Sequence, residues 1–501
     1  MSLNSLIMTY RDEMNAHKKR LRRFDPEVVI IKACQKFRWV GTDIQKIRLY
    51  PHNELYYIIK LAIKLAAQPY TPYKPCTDKD FDKQIENQKS LAGPQLKIAH
   101  AEGDPLEMGL KWLAQFCQFP FQDEIDRTSV ARSIFLYELE NCPINIREAF
   151  ERETQVPLRS FFQGCFGAWV VANEKLFIQD QISGSNLPVF NTNIWDNFIP
   201  LIRADYEEFR ILCATNDLKS DLYEMFSAPV ILKAPVIRLP SGRNIVPWPM
   251  LLLHRLCYGP YDILKAALGN DFTDAFGFAF QKYITRILSL VGSHTGEHFY
   301  EETASTSPGK TPDFFSISDA TSTLLCVEAK ANEDSLTLNQ RTLMDTARPI
   351  IGKAIVQCHD LWQRATQGRE DLISPNIKKC IPLIVTFRPF YFVHGNFYRN
   401  NVVNNDGDEQ TESLKSCSNN YQVMDIRAFE CLAKVCVCSG NTMLSIVETK
   451  LTTVKDDDWW SYLTKQTKSL HEQGRWNDNL PGITDVCDKL FTELEQSINT
   501  K

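Results

Sequence analysis

Thr311-Pro312-Asp313-Phe314-Phe315 and, a short connection later, Leu324-Leu325-Cys326-Val327-Glu328-Ala329-Lys330 decide the reading of this chain. In a strand, alternate residues share a face. Glu328 and Lys330 therefore point one way, and Leu325, Val327 and Ala329 point into the opposite layer. An apolar strand that ends in a carboxylate and an ammonium is costly unless the charges act or find partners. Asp313 follows a proline and enters a neighbouring strand, and the connecting Ser316–Thr323 (SISDATST) reads as a tight turn. A hairpin of this length brings Asp313 beside Glu328. Two carboxylates so placed would hold Mg²⁺, with Mn²⁺ as a substitute, because these hard cations prefer oxygen ligands. A lysine on the same face would orient or deprotonate a water molecule, and the ion would stabilise charge growing on a phosphate.

Outward from this hairpin, from about residue 272, the pattern predicts strands interleaved with helices, in the order helix, strand, strand, helix, strand, strand, helix. The helices are Phe276–Leu290 and Ala347–Arg364; the strands are 297–303, 312–317, 323–330, 381–387 and 421–426. Such an order argues for an α/β architecture, a mixed sheet covered by helices. The first part of the chain, 1–230, reads as helical. Asp25-Pro26-Glu27 and Asp104-Pro105-Leu106-Glu107 are N-terminal signatures, and Asn53 is a candidate cap. Apolar residues three and four apart continue through 128–140, 158–176, 193–214 and 220–227. Residues 231–264 read as a hairpin around Pro240-Ser241-Gly242-Arg243 followed by a helix from about Pro247. The third unit, 265–450, contains a polar insertion at about 400–420. The tail, 451–501, returns to helix, with Trp459, Trp460 and Tyr462 available for packing. No repeat of fixed period is visible.

The hairpin residues and the order of elements around them resemble the PD-(D/E)xK nuclease superfamily, which has the restriction-endonuclease-like fold. The resemblance covers roughly residues 265–435, and Asp313, Glu328 and Lys330 match its motif. It implies a Mg²⁺-dependent endonuclease in which all three residues are catalytic and Asp313 and Glu328 hold the metal. Many members carry a glutamate in the first helix, where this chain has Gln281. Some use a glutamine and a tyrosine one turn apart in the later helix; here Gln357 is present and Leu361 replaces the tyrosine. Lys353, one turn before Gln357, is a comparable supporting candidate.

Two other stretches match ExK-like patterns, Glu448-Thr449-Lys450 and Asp217-Leu218-Lys219, but neither has a Pro-Asp suitably upstream. A rival motif is His294-Thr295-Gly296-Glu297-His298, the H-x-x-E-H pattern of a zinc protease. That chemistry needs both histidines on one helical face, and Gly296 disfavours a helix there by about 1 kcal/mol. The expected reading is a loop with two surface histidines. Ser307-Pro308-Gly309-Lys310-Thr311 lacks the first glycine of a phosphate-binding loop and reads as the segment that delivers Asp313. Trp248, between two prolines, reads as core.

The chain has 501 residues with 44% hydrophobic and 23% charged residues, which excludes disorder throughout. The net charge of -5 excludes a protein that coats nucleic acid non-specifically. Phosphate contacts would be local, and Lys18, Lys19, Arg20 and Lys310 are the candidates. The N-terminus lacks the charge order and apolar run of a signal peptide. No stretch approaches the roughly 18 apolar residues of a membrane span. These features predict a cytoplasmic protein with no membrane association. The 15 cysteines include no CxxC pair, so reduced, mostly buried thiols are expected. The substrate expected is duplex DNA, hydrolysed to 5′-phosphate and 3′-hydroxyl ends, with the helical region recognising a target or restraining the nuclease. A role in bacterial defence against phage or foreign DNA, a phage-derived trigger and a homodimer accompany this reading by analogy of architecture alone. The competing readings are a nuclease-fold binding module without activity and the zinc metalloprotease.

Overall fold

Two sheets organise the described part of the chain. The computed structural model describes residues 3–66, 72–102, 125–178, 192–216, 229–305, 309–331, 348–388, 412–454, 459–487 and 492. The helix start at Asp104, the segment 220–227, Asp217–Lys219 and residues 400–411 lie outside the described residues. The smaller sheet contains β1 (Phe177–Ile178), β2 (Arg203–Ala204), β3 (Val236–Arg238) and β4 (Asn244–Ile245) in the order β1-β4-β3-β2. The larger contains β5 (Tyr300–Glu301), β6 (Phe314–Ser318), β7 (Thr323–Lys330), β8 (Lys379–Thr386) and β9 (Gln422–Asp425), in sequence order. Strands β5, β6 and β7 are antiparallel neighbours; β8 and β9 then run parallel to β7. The protein is thus a predominantly helical, mixed α/β structure.

The alternation read from the sequence builds the layers of the larger sheet. Leu325 and Val327 of β7, with Ile381, Leu383 and Val385 of β8, join the core formed with the Asn270–Thr295 and Ile426–Ser439 helices. Leu324 and Cys326, with Cys380 and Ile384, face the opposite way. There they pack with Ile355 and Leu361 of the Lys353–Thr366 helix, which forms part of the crossover between parallel β7 and β8. A strand covered on both faces must be apolar on both, as the middle of β7 is. The expected insertion needs correction in its second part: Glu412–Asn420 is a helix whose Cys417, with the following Tyr421, packs into this layer.

The hydrophobic cores divide the chain differently from a cut at residue 230. One core joins residues of 125–202 to residues of 252–487, so the Arg127–Glu138 and Leu158–Glu174 helices belong with the larger sheet. The other joins the helices of the first 91 residues to residues of 204–251. The expected 240–243 hairpin is present, and its strands form a wall shared by both: Val236 and Val246 enter the first core, Ile237 and Ile245 the second. Trp248 is core, stacked on His52 at 5.0 Å, and His52 stacks on Phe37 at 5.2 Å.

Helix starts follow capping chemistry. Asp25 caps Pro26–Val40 by accepting from the Glu27 N–H at 2.9 Å. Asn53 does not cap: its helix begins at His52 after Pro51, and Asn53 is buried in it. The expected helix 193–214 is interrupted at Ile199–Leu201 and β2, where Pro200 removes a donor and crowds the preceding turn. Met250–Leu268 and Trp459–Glu472 form as expected, with Trp459 and Tyr462 buried. None of the described cysteines is joined in a disulfide. No single described helix is long and apolar enough to cross a membrane.

Phe387, just past β8, anchors the first core between Tyr258, Tyr261 and Phe276 at ring distances of 5.4, 5.4 and 4.8 Å. Phe387→Ala is expected to cost about 3–5 kcal/mol in urea denaturation, because close-packed rings on every side cannot collapse into the void. A loss below about 1 kcal/mol would contradict this packing.

Candidate active site

The β6–β7 register pairs Phe314 with Val327, which sets Asp313 opposite Glu328. The two residues exchange backbone and side-chain groups. The Asp313 N–H donates to Glu328 Oε2 at 3.0 Å, and the Ala329 N–H donates to Asp313 Oδ2 at 2.7 Å. Asp313 Oδ1 accepts from Gln281 Nε2 at 3.0 Å. Lys330 Nζ lies 2.5 Å from Glu328 Oε1 and 3.5 Å from Gln357 Oε1. Gln357 Nε2 in turn lies 3.5 Å from the Thr311 carbonyl oxygen. The fold thus gathers Asp313, Glu328, Lys330, Gln281 and Gln357 from two strands and two helices. Lys353 does not belong to this network as drawn by hydrogen bonds; it is exposed on the first turn of its helix.

Burial and like charge dominate the electrostatics. Burial, with the Glu328 carboxylate beside it, pushes Asp313 up to about 7; the Ala329 N–H and Lys330 oppose the shift. Burial also raises Glu328, against the pull of Lys330. Glu302 adds negative charge near both carboxyls, and its N–H donates to the Asp313 carbonyl at 2.9 Å. Two carboxyls that resist joint ionisation mark a place where a cation is favoured.

A second network, not apparent in the sequence, holds the segment before Asp313. Arg364 donates to the Lys310 carbonyl at 3.0 Å, to Thr311 Oγ1 at 2.9 Å and to Glu370 Oε1 at 2.7 Å. Glu370 also accepts from Ser305 Oγ at 3.0 Å. Gly309, at φ 148°, lets the guanidinium approach so closely that a side chain there would strike it. Lys310 is exposed beside this anchored backbone. The only signal in the sequence was an arginine on the later helix, too common a feature to single out.

The remaining candidates have other surroundings. Lys18, Lys19 and Arg20 end the Leu3–Leu21 helix, which packs in the second core. In the H-x-x-E-H stretch the helix stops at Thr295 and Gly296 turns left-handed at φ 75°. Glu297 accepts from Ser316 Oγ and from the Met443 and Leu444 N–H groups, capping another helix. A carboxylate so committed cannot also serve a zinc site with the two histidines. Glu448 bonds Thr323 Oγ1 at 2.6 Å and Lys450 bonds Gln422 at 3.0 Å, so the 448–450 match is structural.

Among the described residues, no group of three or more His, Cys, Asp or Glu is placed to hold a metal ion. Asp313 and Glu328 offer two carboxylates, a donor type that would suit a hard, oxygen-preferring cation such as Mg²⁺. No family model matches the chain, and no curated protein or solved structure matches it significantly.

Two predictions follow from these charges. A folded carboxyl near 7 keeps a proton that the unfolded chain releases near 4, so metal-free stability falls as pH rises between those values. Asp313→Asn should therefore raise the melting temperature in EDTA at pH 8 by about 2 °C or more, and by less at pH 5. An equal effect at both pH values would contradict the assignment. Arg364→Met leaves Glu370 buried without its cation and should cost about 3–5 kcal/mol. Arg364→Met with Glu370→Leu should recover much of that loss in urea denaturation; no recovery would show that the pair is not the source.

Proposed function

We propose that the chain is a Mg²⁺-dependent endonuclease that hydrolyses phosphodiester bonds of duplex DNA at Asp313, Glu328 and Lys330. The observation that carries this reading is the reciprocal pairing of a buried and a half-buried carboxyl with an ammonium 2.5 Å from one of them. The sheet supports the resemblance to PD-(D/E)xK nucleases: the acid precedes the second of three antiparallel strands, the E-x-K ends the third, and parallel strands follow.

Asp313 and Glu328 would hold the ion through their remaining lone pairs. The ion, when bound, supplies a Lewis acid for charge developing on the phosphate. Gln281 fixes the Asp313 carboxylate by donating to Oδ1. Lys330, held between Glu328 and Gln357, presents N–H donors with which it positions an attacking water. Water as nucleophile makes the ribose 2′-hydroxyl unnecessary, so DNA is an allowed substrate, and hydrolysis leaves 5′-phosphate and 3′-hydroxyl ends. Lys310 and Lys353 are exposed cations on elements that border the carboxylates, suited to phosphate contact. A nuclease-fold module without activity would have no use for an intact Asp, Glu and Lys on one strand pair.

Asp313→Ala, Glu328→Ala and Lys330→Ala should each lower cleavage of supercoiled plasmid by roughly a thousandfold or more, with folding retained by circular dichroism. Mg²⁺ or Mn²⁺ should support cleavage, and Ca²⁺ should support binding with little turnover. Wild-type rates for folded Asp313→Ala protein, or activity that persists in EDTA, would overturn the reading. Degradation of RNA with plasmid left intact would overturn the substrate and leave the catalytic residues standing.

A further inference from the structure

The end of the Leu3–Leu21 helix carries positive charge that its surroundings leave unmatched. From Met14 to Phe24 the sequence holds Lys18, Lys19, Arg20, Arg22 and Arg23 and no carboxylate. Lys19 and Arg23 are exposed; Arg20 and Arg22 are half-buried. Lys74, also exposed, joins them from the segment before the Asp78–Glu102 helix, because its N–H donates to the Arg23 carbonyl at 2.7 Å. Among the described residues, Lys19, Arg20, Arg22, Arg23 and Lys74 make no ion pair; Lys18 is already engaged and is not counted. The Nε atoms of Arg20 and Arg22 are buried and have no hydrogen-bond partner among those residues.

The neighbouring carboxylates do not offset this charge. Asp25 caps the next helix by accepting from the Glu27 N–H. Asp12 and Glu13 stand more than a turn before Lys19. The Asp78–Glu102 helix packs along the first helix, and the acids of its opening turns are taken: Asp78 by Lys32, Asp80 by Thr77, and Asp82 by Tyr50 and Lys36. Burial, followed by Arg20 and Lys18, pushes the enclosed His17 down to about 4. A helix dipole favours cations in the last turn. Arg22 and Arg23 lie beyond the helix and Lys74 is on another segment, so the dipole does not account for the set. Cations that repel one another act against the compact state unless a partner removes the repulsion. That partner is not a small anion in a pocket: the cavity beside the cations, lined by Leu21, Arg22, Phe24 and Tyr73, holds about 10 Å³, no more than one water.

We propose that Lys19, Arg20, Arg22, Arg23 and Lys74 form a surface that holds the phosphate backbone of duplex DNA. The identity of the polyanion rests on the nuclease reading; the surface itself does not. Its residues belong to the unit built on the first 91 residues, whereas Asp313 and Glu328 lie on the larger sheet. Grip and cutting are thus assigned to different units. Lys19 and Arg23 stand about one turn apart along the chain, and Lys74 extends the row onto the adjoining segment. A row of this kind meets successive phosphates and reads no bases. Arginine does so with paired donors. Release of counterions from the duplex then supplies affinity that the net charge of -5 would otherwise oppose.

The test is fluorescence anisotropy of a labelled, mixed-sequence DNA duplex titrated with the full-length protein in Ca²⁺, between about 50 and 200 mM salt. Combined Lys19→Gln, Arg23→Gln and Lys74→Gln should weaken binding about tenfold or more at the low-salt end. The slope of log affinity against log salt should fall by about 2–3. Combined Arg147→Gln, Lys378→Gln and Lys468→Gln, the same change in net charge at exposed positions outside that unit, should leave both nearly unchanged. The melting temperature of the first variant should stay level or rise, because repulsion is relieved; a purely structural role for these cations would lower it. Equal loss of binding in both triple variants, an unchanged salt slope in the folded first variant, or no duplex binding by the wild type would overturn the proposal. So would binding to phosphatidylserine vesicles that depends on the same residues and is tighter than binding to duplex. Binding that depends on these residues in a protein that never cleaves would contradict the nuclease reading and leave this one standing; cleavage with binding independent of them would do the reverse.

Discussion

Two hydrogen bonds between neighbouring strands, Asp313 N–H to Glu328 and Ala329 N–H to Asp313, set the geometry on which the site depends. They form only in the observed register, which places Phe314 against Val327. A slip of one residue would turn Glu328 and Lys330 into the layer that holds Leu325 and Val327. The apolar residues on both faces of β7 prevent that slip, since each face has its own core. The cost of holding two carboxyls together is therefore borne by burial on both sides of the sheet. The same enclosure that raises their proton affinity makes a divalent ion a favourable replacement for the proton.

Two helices hold this arrangement from outside the sheet. The Asn270–Thr295 helix contributes Gln281 to Asp313 and, two residues later, Tyr283 to the buried Arg132–Glu430 pair. The Lys353–Thr366 helix contributes Gln357 near Lys330 and Arg364 to the segment before Asp313. The two buried charge systems differ in kind. Arg132 and Glu430 match each other one to one. The Asp313–Glu328 pair faces a single cation, Lys330, with Glu302 nearby, so the two carboxyls resist joint ionisation. A matched pair is sufficient as structure, whereas an unmatched one calls for a cation. A cavity between the Ile426–Ser439 and Trp459–Glu472 helices is tied to the Asn270–Thr295 helix through Glu430 and Tyr283.

Much of the sheet was legible because strand signals here are local. The expected strand 323–330 is β7 without change, and 312–317, 381–387 and 421–426 each overlap an observed strand. Asp313, Glu328 and Lys330 were legible because a charged pair at the end of an apolar strand is conspicuous. Arg364, Glu370 and Glu302 were not, because their importance comes from segments distant in sequence that meet only after folding. Asn53 misled because capping residues also occur in buried helical positions, and here Pro51 starts the helix. The 412–420 helix was hidden by its polar composition; Cys417 is buried in it, and Tyr421 just beyond it completes the contact. A boundary at residue 230 followed the change in texture along the chain. The cores instead follow three-dimensional packing, with residues 125–202 joined to the larger sheet.

The central claim is that Asp313 and Glu328 form one divalent-cation site. Electron paramagnetic resonance of added Mn²⁺ tests it without reference to any substrate, because the signal of free Mn²⁺ diminishes when the ion binds. At pH 8 the wild-type protein should take up Mn²⁺, compete for it with Mg²⁺, and lose that uptake in both Asp313→Asn and Glu328→Gln. Unchanged Mn²⁺ uptake in both folded variants, or no uptake by the wild type, would contradict the account.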